Sequence, residues 1–216
     1  MHAFSTQAMG SMRRTPEALV TPRRRELARR LDLDADLLTV AGAVHGNQVA
    51  RVDSPQGAVE GFDGLVTDRP GLPLLATFSD CYPLLLYDPE RHGAGLAHAG
   101  WRGTAAGIAG ALVAALEREY GSDPERLLAG IGPGICAACY QVGPEVAGRF
   151  NGFARPDAEG RHRLDLAAAN RAQLQQAGLP LERIHVHGAC TFESVDLPSH
   201  RRRPDGARFA CIVALR

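Results

Sequence analysis

From Leu37 onward the chain is cut into short apolar runs, each ended within a few positions by glycine, proline or aspartate. Runs this short, bounded this way, are strands rather than helices. They fall at Leu37–Val44, Gln48–Val52, Gly64–Thr67, Leu72–Thr77, Leu84–Tyr87 and Gly95–His98, and later at Leu127–Ile131, Ile184–Val186 and Arg208–Ala214. The early spacing leaves no room for helical crossovers, so several pairs are expected to be hairpins or meanders. Helical patterns are fewer. Pro16–Leu31 sets Leu19, Leu27 and Leu31 among arginines, and Thr104–Tyr120 is alanine-rich, with Thr104 placed to cap it and Gly121 to stop it. Pro144–Phe150 and Leu166–Gly178 read as shorter helices, and Asn151–Arg163, poor in apolar residues, as a mobile loop. Strands in the majority with a few covering helices predict an α+β layered sandwich.

Size and charge bound the function. With 216 residues and 45% hydrophobic content, one domain over 1–216 is expected, because a second core would have little left to build on. Arginine plus lysine and aspartate plus glutamate both number 24, so the neutral balance offers no attraction for nucleic acid or an anionic membrane. The basic clusters at 23–25 and 201–203 are local, and the first reads as the polar face of a helix. No run approaches the roughly 20 apolar residues of a membrane span, and Met1–Arg14 has no signal-peptide core. Five cysteines, at 81, 136, 139, 190 and 211, suit reduced thiols better than a disulfide framework. The expectation is a cytoplasmic protein acting on a small molecule, with its oligomeric state open.

Three polar residues stand at strand ends or turns, where a scaffold presents chemistry: His45 in Val44-His45-Gly46, Cys81 in Ser79-Asp80-Cys81-Tyr82, and His98 before Ala99-Gly100-Trp101-Arg102-Gly103. Two imidazoles and a thiolate suit zinc, with the fourth tetrahedral position open to a water whose pKa such a metal lowers to about 7. Their spacing matches no fixed motif, so two packed histidines and a core thiol remain an equal reading. A strand, a glycine-rich turn at 100–103 and a helix opening at Thr104 would cradle an anion, with Arg102 adding a bidentate contact. Cys136-Ala-Ala-Cys139 is a lone C-x-x-C lacking further ligands for a zinc knuckle, which favours a structural role. His185 and His187 read as packed or exposed strand residues, and Ser199-His200-Arg201-Arg202-Arg203 as a solvated basic loop or a phosphate clamp.

Several of these segments together resemble the YfiH family. They are Asp63-Gly-Leu-Val-Thr-Asp-Arg-Pro-Gly71, Ser79-Asp-Cys-Tyr-Pro83, His98-Ala-Gly-Trp-Arg-Gly103, Gly132-Pro-Gly134, Cys139-Tyr-Gln-Val-Gly143 and Ser199-His-Arg-Arg202, in family order. The resemblance runs from about residue 37 to 216 and implies an α/β/β/α sandwich with mixed sheets. It also implies zinc ligands at His45, Cys81 and His98. The family is called laccase-like or multicopper polyphenol oxidase, and its members act as purine nucleoside phosphorylases, with methylthioadenosine phosphorolysis and adenosine deamination also known. The implied substrates are therefore purine nucleosides and phosphate, with Arg102 and Arg201 or Arg202 neutralising phosphate charge. The chain departs from the pattern at Gln7, Ala43 and Arg203, where arginine, glutamine and aspartate are usual.

Two rival chemistries follow from the same residues. A trinuclear copper oxidase is built from many imidazoles, whereas this chain has 8 histidines and one H-x-H pair; copper would then be adventitious. A metal-free cysteine amidohydrolase with Cys81 as nucleophile and His98 as base, acting on a peptidoglycan precursor, is the other. A non-catalytic binding protein is least favoured, since burying a thiolate and two imidazoles without a ligand is costly.

Overall fold

The computed structural model describes residues 1–15 and 20–216. Two mixed sheets stack face to face. The five-stranded sheet runs in the order His2–Phe4, Phe209–Val213, Leu74–Phe78, Thr39–Gly42, Ala58–Glu60. The six-stranded sheet runs Ile184–Val186, Leu128–Ile131, Tyr82–Asp88, Gly93–Ala99, Gly64–Thr67, Val49–Arg51. Helix α1 (Pro22–Arg30) covers the outer face of the first sheet. Helices α2 (Trp101–Ala105), α3 (Ile108–Tyr120), α4 (Pro144–Ala147) and α5 (Leu166–Gln176) lie on the side of the second. This is the expected α+β sandwich of α/β/β/α layers.

Period-two alternation builds the layers. Leu74, Ala76 and Phe78 face the inter-sheet core with Phe209, Cys211 and Val213, opposite Leu65, Leu85 and Leu96. Their neighbours Leu75, Ala210 and Ile212 turn outward onto Leu27 and Ala28 of α1. On the far side Leu84, Leu86 and Ala97 meet Leu112, Val113 and Leu116 of α3. Each sheet is thus buried on both faces, which explains strands apolar along their whole length.

The tight early spacing has a different cause from hairpin formation. Strands Thr39–Gly42, Val49–Arg51, Ala58–Glu60, Gly64–Thr67 and Leu74–Phe78 alternate between the two sheets, so the chain zigzags across the sandwich. Sheets stacked about 10 Å apart can be bridged by a few residues, and the result is parallel pairing of Thr39–Gly42 with Ala58–Glu60 and of Val49–Arg51 with Gly64–Thr67. The hairpin expectation holds for Tyr82–Asp88 with Gly93–Ala99.

Three local expectations change. The first helix begins at Pro22, and of the longer span expected from Pro16, residues 16–19 lie outside the described residues. The expected Thr104 helix starts earlier, at Trp101 with Gly100 as its cap, and breaks at Gly107, whose φ of 84° ends α2 before α3 begins. Residues 151–163 are a hairpin rather than a loop. Ala154–Pro156 pairs with His162–Leu164, and Asp157 closes the turn by accepting from the backbone N–H groups of Glu159 and Arg161.

Candidate metal centre

His45 and Cys81 both sit where the chain crosses between sheets, and His98 lies in the central strand Gly93–Ala99 beside them. One ligand atom from each of the three falls within 4.8 Å of the others, and the His45 and His98 rings meet edge to face with centroids 4.8 Å apart. Two crossing residues carry unusual backbone: His45 has φ 65° and Asp80, next to Cys81, has φ 75°. Left-handed conformations at non-glycine residues persist only where the surroundings hold them.

For His45 the holding group is Asp63, whose carboxylate is fully buried. It accepts hydrogen bonds from the backbone N–H of His45 at 2.8 Å, of Gly46 at 2.7 Å and of Val44 at 3.2 Å. The same carboxylate contacts His98 Nδ1 at 3.3 Å, which leaves Nε2 for the centre, the arrangement in which a carboxylate orients a ligand histidine. Burial opposes the Asp63 charge, but His98 and the amides of Gly46 and Val44 outweigh it and hold the carboxyl below its usual range. In the sequence Asp63 stands out only as the first residue of the Asp63–Gly71 segment. The legible signal is an aspartate opening a strand that is otherwise buried throughout.

Charge is organised around Cys81. Burial opposes its thiolate, yet the His98 charge and hydrogen bonding from His45 and His98 pull the thiol down to about 6. For His98, burial opposes the imidazolium, while the Cys81 charge and the Asp63 bond raise it to about 9. The pair is a thiolate next to an imidazolium at neutral pH. A metal cation in the same place would take over the stabilisation of the thiolate that the proton on His98 provides. The donor set fits a tetrahedral ion with one open position.

The glycines of Gly100-Trp101-Arg102-Gly103 serve this centre sterically. A Cβ on Gly100 would lie 2.9 Å from Cys81 Sγ and 3.2 Å from His45 Cδ2, and one on Gly103 would lie 2.7 Å from the Gly46 carbonyl oxygen. The turn expected to cradle an anion is itself the first turn of a five-residue helix, Trp101–Ala105, with Gly100 as its cap. Gly100 has φ −84°, which any residue adopts. Gly100→Ala should therefore strain no backbone but displace the Cys81 and His45 side chains, weakening metal binding about 10–100-fold, as outer-shell changes do. Titration of the metal-free variant with metal checks this.

The three residues line a cavity of about 380 Å³ together with Arg13, Arg14, Arg24 and Arg208. Arg24 corrects the reading of 23–25 as a polar face. It is 1% exposed, shares the buried side of α1 with Leu27 and Ala28, and donates to the Met12 carbonyl through Nε at 2.9 Å and Nη2 at 2.7 Å. Burial first, and Arg14 second, lower it to about 10. Positions 24, 27 and 28 are one helix stripe, so the periodicity already carried this signal.

Arg102 and Arg201 stand on another side of Cys81, around Tyr140. Arg102 is exposed and lies 4.3 Å over the Trp101 ring. Arg201 lies 5.5 Å from the Tyr140 ring centroid, donates to the Gln141 carbonyl at 2.7 Å, and its backbone N–H donates to Asp80. Burial and then the Cys81 charge push Tyr140 up to about 12, with Arg201 and Arg102 opposing, so all these groups share one neighbourhood. Arg202 does not join them. Its guanidinium is spent on the carbonyls of Thr191, Phe192, Ser194 and Leu197, so it holds a loop rather than facing a substrate.

The family model for the multi-copper polyphenol oxidoreductase laccase matches residues 2–216. A purine nucleoside phosphorylase of Deinococcus radiodurans is 41% identical over 216 aligned residues, covering 93% of this chain and 83% of that protein. The adenosine deaminase RL5 of an unknown prokaryotic organism is 36% identical, covering 76% of this chain and 69% of its own. The crystal structure of the Bacillus licheniformis hypothetical protein YfiH shares the fold with TM-score 0.89 at 31% identity, over 100% of this chain and 92% of that one. Among the described residues no helix is long and apolar enough to cross a membrane. The resemblance read from the His98–Gly103 hexapeptide thus extends to the whole chain, and the protein belongs to the multi-copper polyphenol oxidoreductase laccase family that includes YfiH.

Proposed function

We propose that this chain is a zinc-dependent purine nucleoside phosphorylase, cleaving adenosine, inosine or guanosine with phosphate to the base and ribose 1-phosphate. Methylthioadenosine is a further substrate, and adenosine deamination a second activity of the same cavity. The observation that carries the reading is the shared cavity, lined by His45, Cys81 and His98 together with four arginines. Relatives named purine nucleoside phosphorylase and adenosine deaminase support the substrate class. His45, Cys81 and His98 would hold the zinc, which would supply Lewis acidity to the reaction.

The chain's own residues bind and orient. The sequence contains no lysine, so phosphate recognition falls to arginine, whose planar fork suits phosphate oxygens. Arg13, Arg14 and Arg208 line the cavity beside buried Arg24, and their guanidinium groups supply the donors for the dianion. Arg102 and Arg201 flank Tyr140 on the nucleoside side. In the reaction a phosphate oxygen bonds to ribose C1′ as the C1′–N9 bond breaks, its electron pair leaving with the purine, which takes up a proton. Fixed cations beside the phosphate stabilise charge as that bond stretches.

Product formation from adenosine and inosine, with and without phosphate, tests the activity. Arg208→Ala should raise the KM for phosphate about 10–100-fold, the loss of one charged hydrogen bond, while Arg102→Ala should raise the KM for nucleoside and leave that for phosphate unchanged. The reverse pattern would return phosphate to the Arg102 turn. No phosphate-dependent product from any purine nucleoside would end the phosphorylase reading.

One observation favours a second reading, the cysteine amidohydrolase acting on a peptidoglycan precursor. Asp63, His98 and Cys81 form a carboxylate–imidazole–thiolate relay, the arrangement of an activated thiol. With the thiol at about 6, metal-free protein should be alkylated by iodoacetamide at Cys81 with a half-maximal rate near pH 6, whereas Cys211, pushed up by burial, should not react. In protein as purified, slow alkylation of Cys81 accelerated by chelator fits the zinc reading. Rapid alkylation without chelator fits the hydrolase.

A further inference from the structure

A second group of metal-capable side chains stands apart from the first. The lone C-x-x-C lacked further ligands in the sequence, and the fold supplies them from 54 residues away. Ligand atoms of Cys136, Cys139, Cys190 and Glu193 all lie within 4.8 Å of one another. Zinc–sulfur bonds of about 2.3 Å in a tetrahedron place sulfurs about 3.8 Å apart, so the four donors need only small movements to share an ion.

The backbone is shaped for this. Two turns face each other, each with its ligands three residues apart. In the first, the N–H groups of Cys139 and Tyr140 return to the Cys136 carbonyl at 3.0 and 2.9 Å; in the second, the Ser194 N–H returns to the Cys190 carbonyl at 2.9 Å. The turns are tied by a bridge between Gly134 and Cys190 and by the Thr191 N–H donating to the Gly134 carbonyl at 3.0 Å. The Cys136 N–H donates to Cys190 Sγ at 3.3 Å, a contact that favours a thiolate there. Glu193 Oε1 lies 3.4 Å from Cys139 Sγ and 4.0 Å from Cys136 Sγ. Arg202 fixes the carbonyls of the second turn from behind.

We infer that Cys136, Cys139, Cys190 and Glu193 form a second, structural metal site for a thiophilic divalent cation, zinc by preference. Three thiolates and a carboxylate close a tetrahedron with no open position, as structural sites do. Its location gives it a task. Tyr140 follows Cys139 directly, and Thr191, next to Cys190, donates through Oγ1 to Asp80 at 2.7 Å, beside Cys81. The ion would staple two turns that shape the first centre.

The test counts metal in the full chain, purified reduced and without chelator, by elemental mass spectrometry. Cys81→Ala should keep one zinc per chain and Cys81→Ala/Cys139→Ser none, whatever becomes of catalysis. Cobalt(II) added to Cys81→Ala should give thiolate-to-cobalt charge transfer and tetrahedral visible bands, both lost on Cys139→Ser. In the unmodified chain, Cys136 and Cys139 should resist iodoacetamide until a strong chelator is added. Folded Cys81→Ala without zinc overturns the site. So does an intact mass lowered by two hydrogens with a disulfide mapped among Cys136, Cys139 and Cys190, or alkylation of Cys136 and Cys139 indifferent to chelator.

Discussion

Cys81→Ala should remove the metal of the first centre and lower phosphorolysis by about 10²–10⁴-fold, the rate equivalent of the several kcal/mol that a Lewis-acidic ion contributes. The substitution deletes the one anionic ligand, so the two imidazoles left behind, His45 exposed and His98 buried, make a neutral and incomplete set. Stability should change little by comparison, because Cys81 is half-buried at a sheet crossing and alanine suits that environment. Zinc per chain and phosphate-dependent product, measured on the same preparation, check both parts. A variant that loses its metal yet keeps its rate would separate the ion from the reaction. One that keeps both would remove Cys81 from the centre altogether.

Asp63→Ala should be the most damaging substitution away from the three proposed ligands. It strips the acceptor from three backbone N–H groups and from His98 at once. Breaking a buried charged pair costs about 3–5 kcal/mol, which in a domain of this size lowers the melting temperature by about 6–20 °C. Loss of the group that orients His98 should weaken metal binding a further 10–100-fold by the usual outer-shell measure, about 1.4–2.7 kcal/mol. Asp63→Asn keeps the shape and loses the charge, so it should fold better than the alanine variant and still bind metal poorly.

The pH dependence follows from the direction of the Asp63 shift. Its folded pKa lies below the ordinary carboxylate value of 3.8, so its stabilisation is complete above that value and is lost as the pH falls through the lower, folded one. Denaturant melts from about pH 7 down to about pH 3 should show the gap between wild type and Asp63→Asn narrowing only at the acid end. A constant gap would mean that the carboxylate charge is not what Asp63 contributes.

The sequence carried the local grammar of the fold and much of the first centre. Short apolar runs marked Leu74–Phe78 and Phe209–Val213 as strands, and Leu27 marked the inner stripe of a helix. His45, Cys81 and His98 were legible because each ends or interrupts an apolar run, and because the hexapeptide His98–Gly103 is so specific. Burial periodicity is a short-range property, set by neighbours two, three or four positions away.

Partner choice is not short-range, and only the tertiary structure decided it. Spacing could not say that successive strands would alternate between sheets rather than form hairpins, since both satisfy the same alternation. That choice brings the His45 turn onto Asp63, 18 residues away, and His98 onto the same carboxylate from 35 residues away. It also turns Arg24 from an expected surface charge into a cavity wall, and closes Cys136 and Cys139 against Cys190 and Glu193. A charged or thiol side chain reads the same in a sequence whether it meets water or a partner. Packing two sheets and their helices into one body is what removes the water and selects the partner.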